Sequence, residues 1–124
     1  MKKSKRVLVV VGHGSKLKGF QHAMEQVARD IRKKAVFEKV LCAYLEITPP
    51  SIEEAVKQAV EFGAAEVRIL PYFLLKGRHT QQHIPAIAAA VKMRYKKVRI
   101  VLCPYLGYHP KIALAALERT GEVR

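Results

Sequence analysis

Four short runs rich in Val, Ile, Leu and aromatic residues fix what this chain can fold into: Arg6–Val11, Lys39–Leu45, Glu66–Phe73 and Lys97–Cys103. Each is almost continuously apolar, the pattern of strands buried on both faces of a parallel sheet rather than of an antiparallel sheet wet on one side. Their starts recur about every 30 residues, the length of a strand–helix unit.

The intervening segments carry helical spacing. Phe20, Met24, Val27, Ala28, Ile31 and Ala35 recur at steps of three and four, as do Ile52, Ala55, Val56, Ala59 and Val60, and then Ile84, Ile87, Ala88, Val91 and Tyr95. Each set marks one apolar helical face. A shorter fourth helix is expected from Pro110 to about Glu118. Ser51-Ile52-Glu53-Glu54 reads as a capping box, Pro85 and Pro110 suit a first helical turn, and Gly63 suits a left-handed helix stop. The element order is β-α-β-α-β-α-β-α. Right-handed crossovers then place helices on both faces of a four-stranded parallel sheet, for which strand order 2-1-3-4 is expected in a flavodoxin-like arrangement. The 124 residues, half of them apolar, are expected to form one domain, 1–124, with a core that needs no disulfide. No apolar run nears the ~20 residues of a membrane helix. The basic start, Met1 to Arg6, precedes too short an apolar stretch for a secretory leader, so a cytoplasmic protein is expected. Cys42 and Cys103, without C-x-x-C spacing, are expected to be plain buried thiols.

A net charge of +13 calls for an anionic partner. Nucleic acid, a membrane surface and a small polyanion all qualify. The basic residues are scattered beyond the first six positions, Trp is absent and no aromatic RNA-binding motif is present, which makes nucleic acid the weaker choice.

Ligands of an open parallel sheet bind outside the carboxyl ends of its strands. Strand 1 is followed there by Gly12-His13-Gly14-Ser15, strand 2 by Glu46, strand 3 by a loop from Leu74 to His83, and strand 4 by Pro104-Tyr105-Leu106-Gly107-Tyr108-His109. Four of the five histidines and one strand-end carboxylate share this edge. Glycines beside His13 admit close approach of a bulky ligand, Glu46 is expected to be partly buried, and His79 to lie in a loop. Two imidazoles and a carboxylate suit a borderline divalent ion such as Co²⁺, Ni²⁺, Fe²⁺ or Zn²⁺. The chain has no H-E-x-x-H helix and no phosphate loop of the G-x-x-x-x-G-K-[ST] type, so nucleotide hydrolysis is not expected to drive the chemistry. Lys16, Lys18, Lys76 and Arg78 flank these positions and form a candidate cationic rim.

Four segments in series carry a family resemblance: Gly12-His13-Gly14-Ser15; Tyr44-Leu45-Glu46 with Pro50-Ser51-Ile52; Leu70-Pro71-Tyr72-Phe73-Leu74 with Gly77-x-His79 and Ile84-Pro85; and Pro104-Tyr105-Leu106-Gly107-Tyr108-His109-Pro110. The sequence resembles the small, single-domain sirohydrochlorin cobaltochelatases, relatives of the ATP-independent ferrochelatases. The resemblance implies a chelatase-like fold and insertion of a divalent metal, Co²⁺ first and Fe²⁺ or Ni²⁺ next, into sirohydrochlorin on the way to cobalamin or sirohaem. It implies that His13 and His79 hold and deliver the metal with Glu46 beside them, that the macrocycle's carboxylates meet Lys16, Lys18, Lys76 and Arg78, and that the protein works as a homodimer. One position departs from the pattern: His83 stands before Ile84-Pro85, where the family often has an acidic residue. A metal or tetrapyrrole carrier without catalysis is the alternative, with a basic nucleic-acid-binding module behind it.

Overall fold

The computed structural model describes residues 4–122; Lys2 and Lys3 of the basic start lie outside them. The elements are β1 (Arg6–Gly12), α1 (His22–Lys33), β2 (Lys39–Tyr44), α2 (Ile52–Phe62), β3 (Glu66–Pro71), a π-helical turn (His79–His83), α3 (Ile84–Arg94), β4 (Arg99–Leu102) and α4 (Pro110–Arg119). The sheet is wholly parallel and its order is β2-β1-β3-β4. That is the order expected from the sequence. β1 lies between β2 and β3, with Gly12 opposite Tyr44 and Val11 opposite Pro71, so the loops leaving these three strands start side by side.

Alternation along the strands divides the core in two. Val7, Val9 and Val11 of β1, with Val67, Ile69 and Ile100, pack under α2 and α3 through Ile52, Val56, Ile84 and Val91. Leu8 and Val10 face the other way and meet α1 through Met24 and Ala28, with Val40, Cys42 and Tyr44 beside them. Cys42 is buried, which pushes its thiol up to about 12; Cys103 is only partly buried, not buried as expected, yet its own desolvation raises it, so neither is a ready thiolate.

The local signals act as their chemistry requires. The Ser51 hydroxyl accepts from the Glu54 amide while the Glu54 carboxylate accepts from the Ser51 amide, and Gly63 closes α2 at φ 98°. Two expectations need correction. α1 begins at His22 and ends at Lys33, leaving Phe20 in the preceding turn and Ala35 at φ 56° beyond the helix end. Burial on both faces holds for β1 but not for β3, where buried and half-buried residues alternate. The reason is α4. Only Ile112 of that helix is even half-buried, so the sheet face bearing Arg68 and Leu70 is not sealed by it. On that face Glu66 gathers Arg6 and Arg68 at 3.0 and 2.7 Å, with Arg99 at 3.6 Å, an arrangement that keeps its carboxyl below the usual range.

Candidate functional site

The loop after β1 and the loop after β2 continue the strand ladder past the strand ends. The amides of Leu45 and Glu46 both donate to the His13 carbonyl at 3.1 Å, and the Ser15 amide and carbonyl are both bound by the Thr48 hydroxyl at 3.1 Å. Gly14 makes this approach possible. It sits at φ 104°, and a Cβ there would lie 1.8 Å from the Glu46 carbonyl oxygen. The same oxygen accepts the Thr48 amide at 2.7 Å across Ile47, which is held at φ 67°. That tight three-residue turn is a strained one for a β-branched residue. β2 therefore stops at Tyr44, and Glu46 is exposed, not partly buried as its place at the end of an apolar run suggests.

This zipper sets Glu46 against His13. The His13 Nδ1–H donates to the Gly14 carbonyl at 3.1 Å, and Nε2 lies 3.0 Å from Glu46 Oε1. The pair thus sets an imidazole nitrogen and a carboxylate oxygen side by side at the site's edge. His79 comes from the other side of β1. Its ring centroid is 4.9 Å from that of His13 and 6.3 Å from the Phe73 ring. It does not lie in an irregular loop: it opens the π-helical turn, closed by the Ile84 amide donating to the His79 carbonyl, and its Nδ1 is 3.1 Å from Nδ1 of His83. Desolvation, then the neighbouring His13 and His83, lower the His79 pKa below the usual 6.5; the Glu46 carboxylate opposes this and Arg78 reinforces it. The neutral, metal-binding form is favoured.

The three candidate ligands thus meet at one edge. Among the described residues, however, no three His, Cys, Asp or Glu side chains are already placed to hold one ion. The donors are committed to one another instead. Lys16 and Lys18 lie exposed on the loop after β1, and Lys76 and Arg78 on the loop after β3, flanking the two histidines. His109 is diverted: its Nδ1 accepts the Lys111 amide and caps α4.

The sequence reading missed an apolar surround. Leu17, Ile47, Leu74, Leu75 and Tyr108 are all at least half exposed, and they come from the loops after all four strands. Beside His13, Phe20, Met24, Tyr72 and Phe73 line a hollow of about 320 Å³. A hollow of about 550 Å³ lies between α2 and α3, and one of about 590 Å³ beside α4 shares Tyr72 with the His13 hollow; neither is lined by His13 or His79. Exposed apolar residues in four separate loops have no helical or strand period, which is why only the fold collects them.

The same architecture occurs in solved proteins. The sirohydrochlorin chelatase SirB from Bacillus subtilis subspecies spizizenii, solved in complex with cobalt, superposes with a TM-score of 0.87 at 25% identity, over 96% of this chain and 51% of that one. A CbiX protein from Marinobacter aquaeolei VT8, provisionally placed in cobalamin (vitamin B12) biosynthesis, gives 0.79 at 26% identity, over 94% and 95% of the two chains. The class is therefore that of the chelatase-fold α/β proteins. The CbiX family model matches residues 7–123, and the chain belongs to that family. Among curated relatives, the sirohydrochlorin cobaltochelatase of Methanopyrus kandleri is 37% identical over 78 residues, 63% of this chain and 54% of that protein. The one from Sulfolobus acidocaldarius is 30% identical over 85% of this chain and 81% of its own. The chain spans about half the length of the methanogen relatives it matches.

Proposed function

We propose that this protein inserts a divalent metal, Co²⁺ in the first place and Fe²⁺ or Ni²⁺ as alternatives, into sirohydrochlorin without a nucleotide, on the way to cobalamin or sirohaem. The observation that carries the reading is the pair of imidazoles from separate strand ends, 4.9 Å apart, on an edge whose loops also carry exposed apolar side chains and Lys16, Lys18, Lys76 and Arg78. A flat apolar macrocycle with a carboxylate periphery matches those side chains in polarity and in charge. Relatives named for cobalt and for iron, among them the chloroplastic sirohydrochlorin ferrochelatase of Arabidopsis thaliana, support the substrate and leave the ion to cellular supply.

In this reading the metal is a substrate. The Nε2 of His13 and the Glu46 carboxylate, 3.0 Å apart, would receive it together, and neutral His79 would contribute the second imidazole. The lack of a closed ligand set suits an ion that is handed on. Insertion of a divalent ion displaces two pyrrole N–H protons: Glu46, exposed and set beside an imidazole, accepts one, and the other passes to solvent.

Residues 1–124 form one chelatase-like unit in a cytoplasmic protein, and two copies pair. An uncovered α4 and a site hollow of about 320 Å³, at the low end for small-molecule sites, favour a second copy that completes both. Sedimentation giving only a 14 kDa species would remove the dimer.

The test is direct. Purified protein, Co²⁺ and sirohydrochlorin, without ATP, change the visible spectrum of the macrocycle with repeated turnover. Stoichiometric binding without turnover would make it a carrier instead, and tight, salt-steep binding to DNA would point to nucleic acid.

A further inference from the structure

His83 has no part in the function proposed above, yet its ring nitrogen lies within hydrogen-bond reach of His79. The two Nδ1 atoms are 3.1 Å apart and the ring centroids 5.3 Å. The π-helical turn from His79 to His83 brings them together, and the buried Ile84 that follows fixes its end in the core.

A contact between two imidazole nitrogens holds one proton, and the direction in which it points decides the chemistry of both rings. If His83 donates, the neutral His79 ring carries its own proton on Nε2 and has no lone pair left for a metal. If His79 donates, its Nδ1–H is satisfied and its Nε2 lone pair is free. Among the described residues nothing else hydrogen-bonds either nitrogen of His79, so His83 alone sets the tautomer. The ring of His83 is exposed and can keep its own proton on Nε2 in water.

We propose that His83 is a positioning residue: it accepts the Nδ1–H of His79 and so holds the Nε2 lone pair of His79 ready for the incoming ion. This rests on the reading of His79 as a metal-receiving group. It adds that an acceptor two bonds beyond Cβ at position 83 is required, whatever its charge. Asp and Asn place an oxygen at that same reach.

The experiment uses the metal-free full chain. Ring ¹⁵N NMR of His79 is recorded at about pH 8, where a histidine lowered from 6.5 is neutral, in the parent, His83→Ala and His83→Asn. Co²⁺ alone is then titrated into each. The expected result is an Nδ1–H, Nε2-lone-pair signature for His79 in the parent and in His83→Asn, and a shift towards Nε2–H in His83→Ala. Co²⁺ affinity should fall about 10–100-fold in His83→Ala, the usual effect of losing an outer-shell partner, and stay within about threefold in His83→Asn. A parent His79 protonated on Nε2, or a signature unchanged in His83→Ala, would overturn the inference. So would equal loss of affinity in the Asn and Ala variants, because a merely structural role makes no distinction by acceptor. None of these readouts uses sirohydrochlorin, so failure of metal insertion would count against the chelatase reading and leave this inference standing.

Discussion

Replacing Gly14 by alanine tests the geometry of the site at one atom. The new Cβ would lie 1.8 Å from the Glu46 carbonyl oxygen, where real Cβ contacts stay beyond 3.0 Å, so the two loops must part by at least about 1.2 Å. Neither side gives freely. The oxygen is bound by the Thr48 amide at 2.7 Å, and residue 14 is held at φ 104°, which costs a side-chain-bearing residue roughly 1–2 kcal/mol. The displacement falls on the 3.0 Å contact between His13 Nε2 and Glu46. Misplacing a reacting group by about 1 Å costs on the order of 10²-fold in rate. Gly14→Ala should therefore slow cobalt insertion, followed by visible absorbance, about 100-fold, and lower the melting temperature by roughly 5–10 °C. Gly77→Ala is the control. Gly77 precedes the other histidine by two residues, a methyl group there would meet nothing within 4 Å, and its backbone is not left-handed. It should leave both quantities unchanged. Parent-like activity in Gly14→Ala, or equal damage in Gly77→Ala, would refute the argument that backbone contact sets the histidine–carboxylate pair.

Other outcomes follow from the same structure. His13→Ala and His79→Ala should each lower insertion by at least about 10²-fold with circular dichroism unchanged, and parent rates in both would sink the site assignment. Because the His79 pKa is lowered, its neutral form is present above that value and lost as the pH falls through it; Co²⁺ binding should weaken with a midpoint below 6.5, and a midpoint above it would contradict the desolvation of the ring. Ser51→Ala removes the reciprocal cap of α2 and should cost about 1 kcal/mol in urea unfolding without changing the metal affinity; no loss would mean that the cap is redundant.

Strand order and caps were legible because they rest on short-range chemistry: apolar runs, a Ser–Glu cap and a glycine at a helix end. The meeting of His13 and His79 was legible too, because strand ends of a parallel sheet share an edge. The rest depends on contacts that have no spacing in the chain. Glu46 turns outward because Ile47 adopts a left-handed backbone, which no propensity for isoleucine foretells. The His79–His83 pairing hides in a stretch with no apolar period. Helices were expected to cover both faces of the sheet, whereas Leu114 and Leu117 of α4 stand about half exposed.

The placement of β1 between β2 and β3 also sets when the site comes into being. A nascent chain displays His13 early, but its companion ring arrives only after β3 has been made and has docked as a neighbour of β1. No amino-terminal fragment that stops short of that step owns both imidazoles. On the function proposed above, uptake of cobalt by the pair would therefore report that β3 has docked on β1.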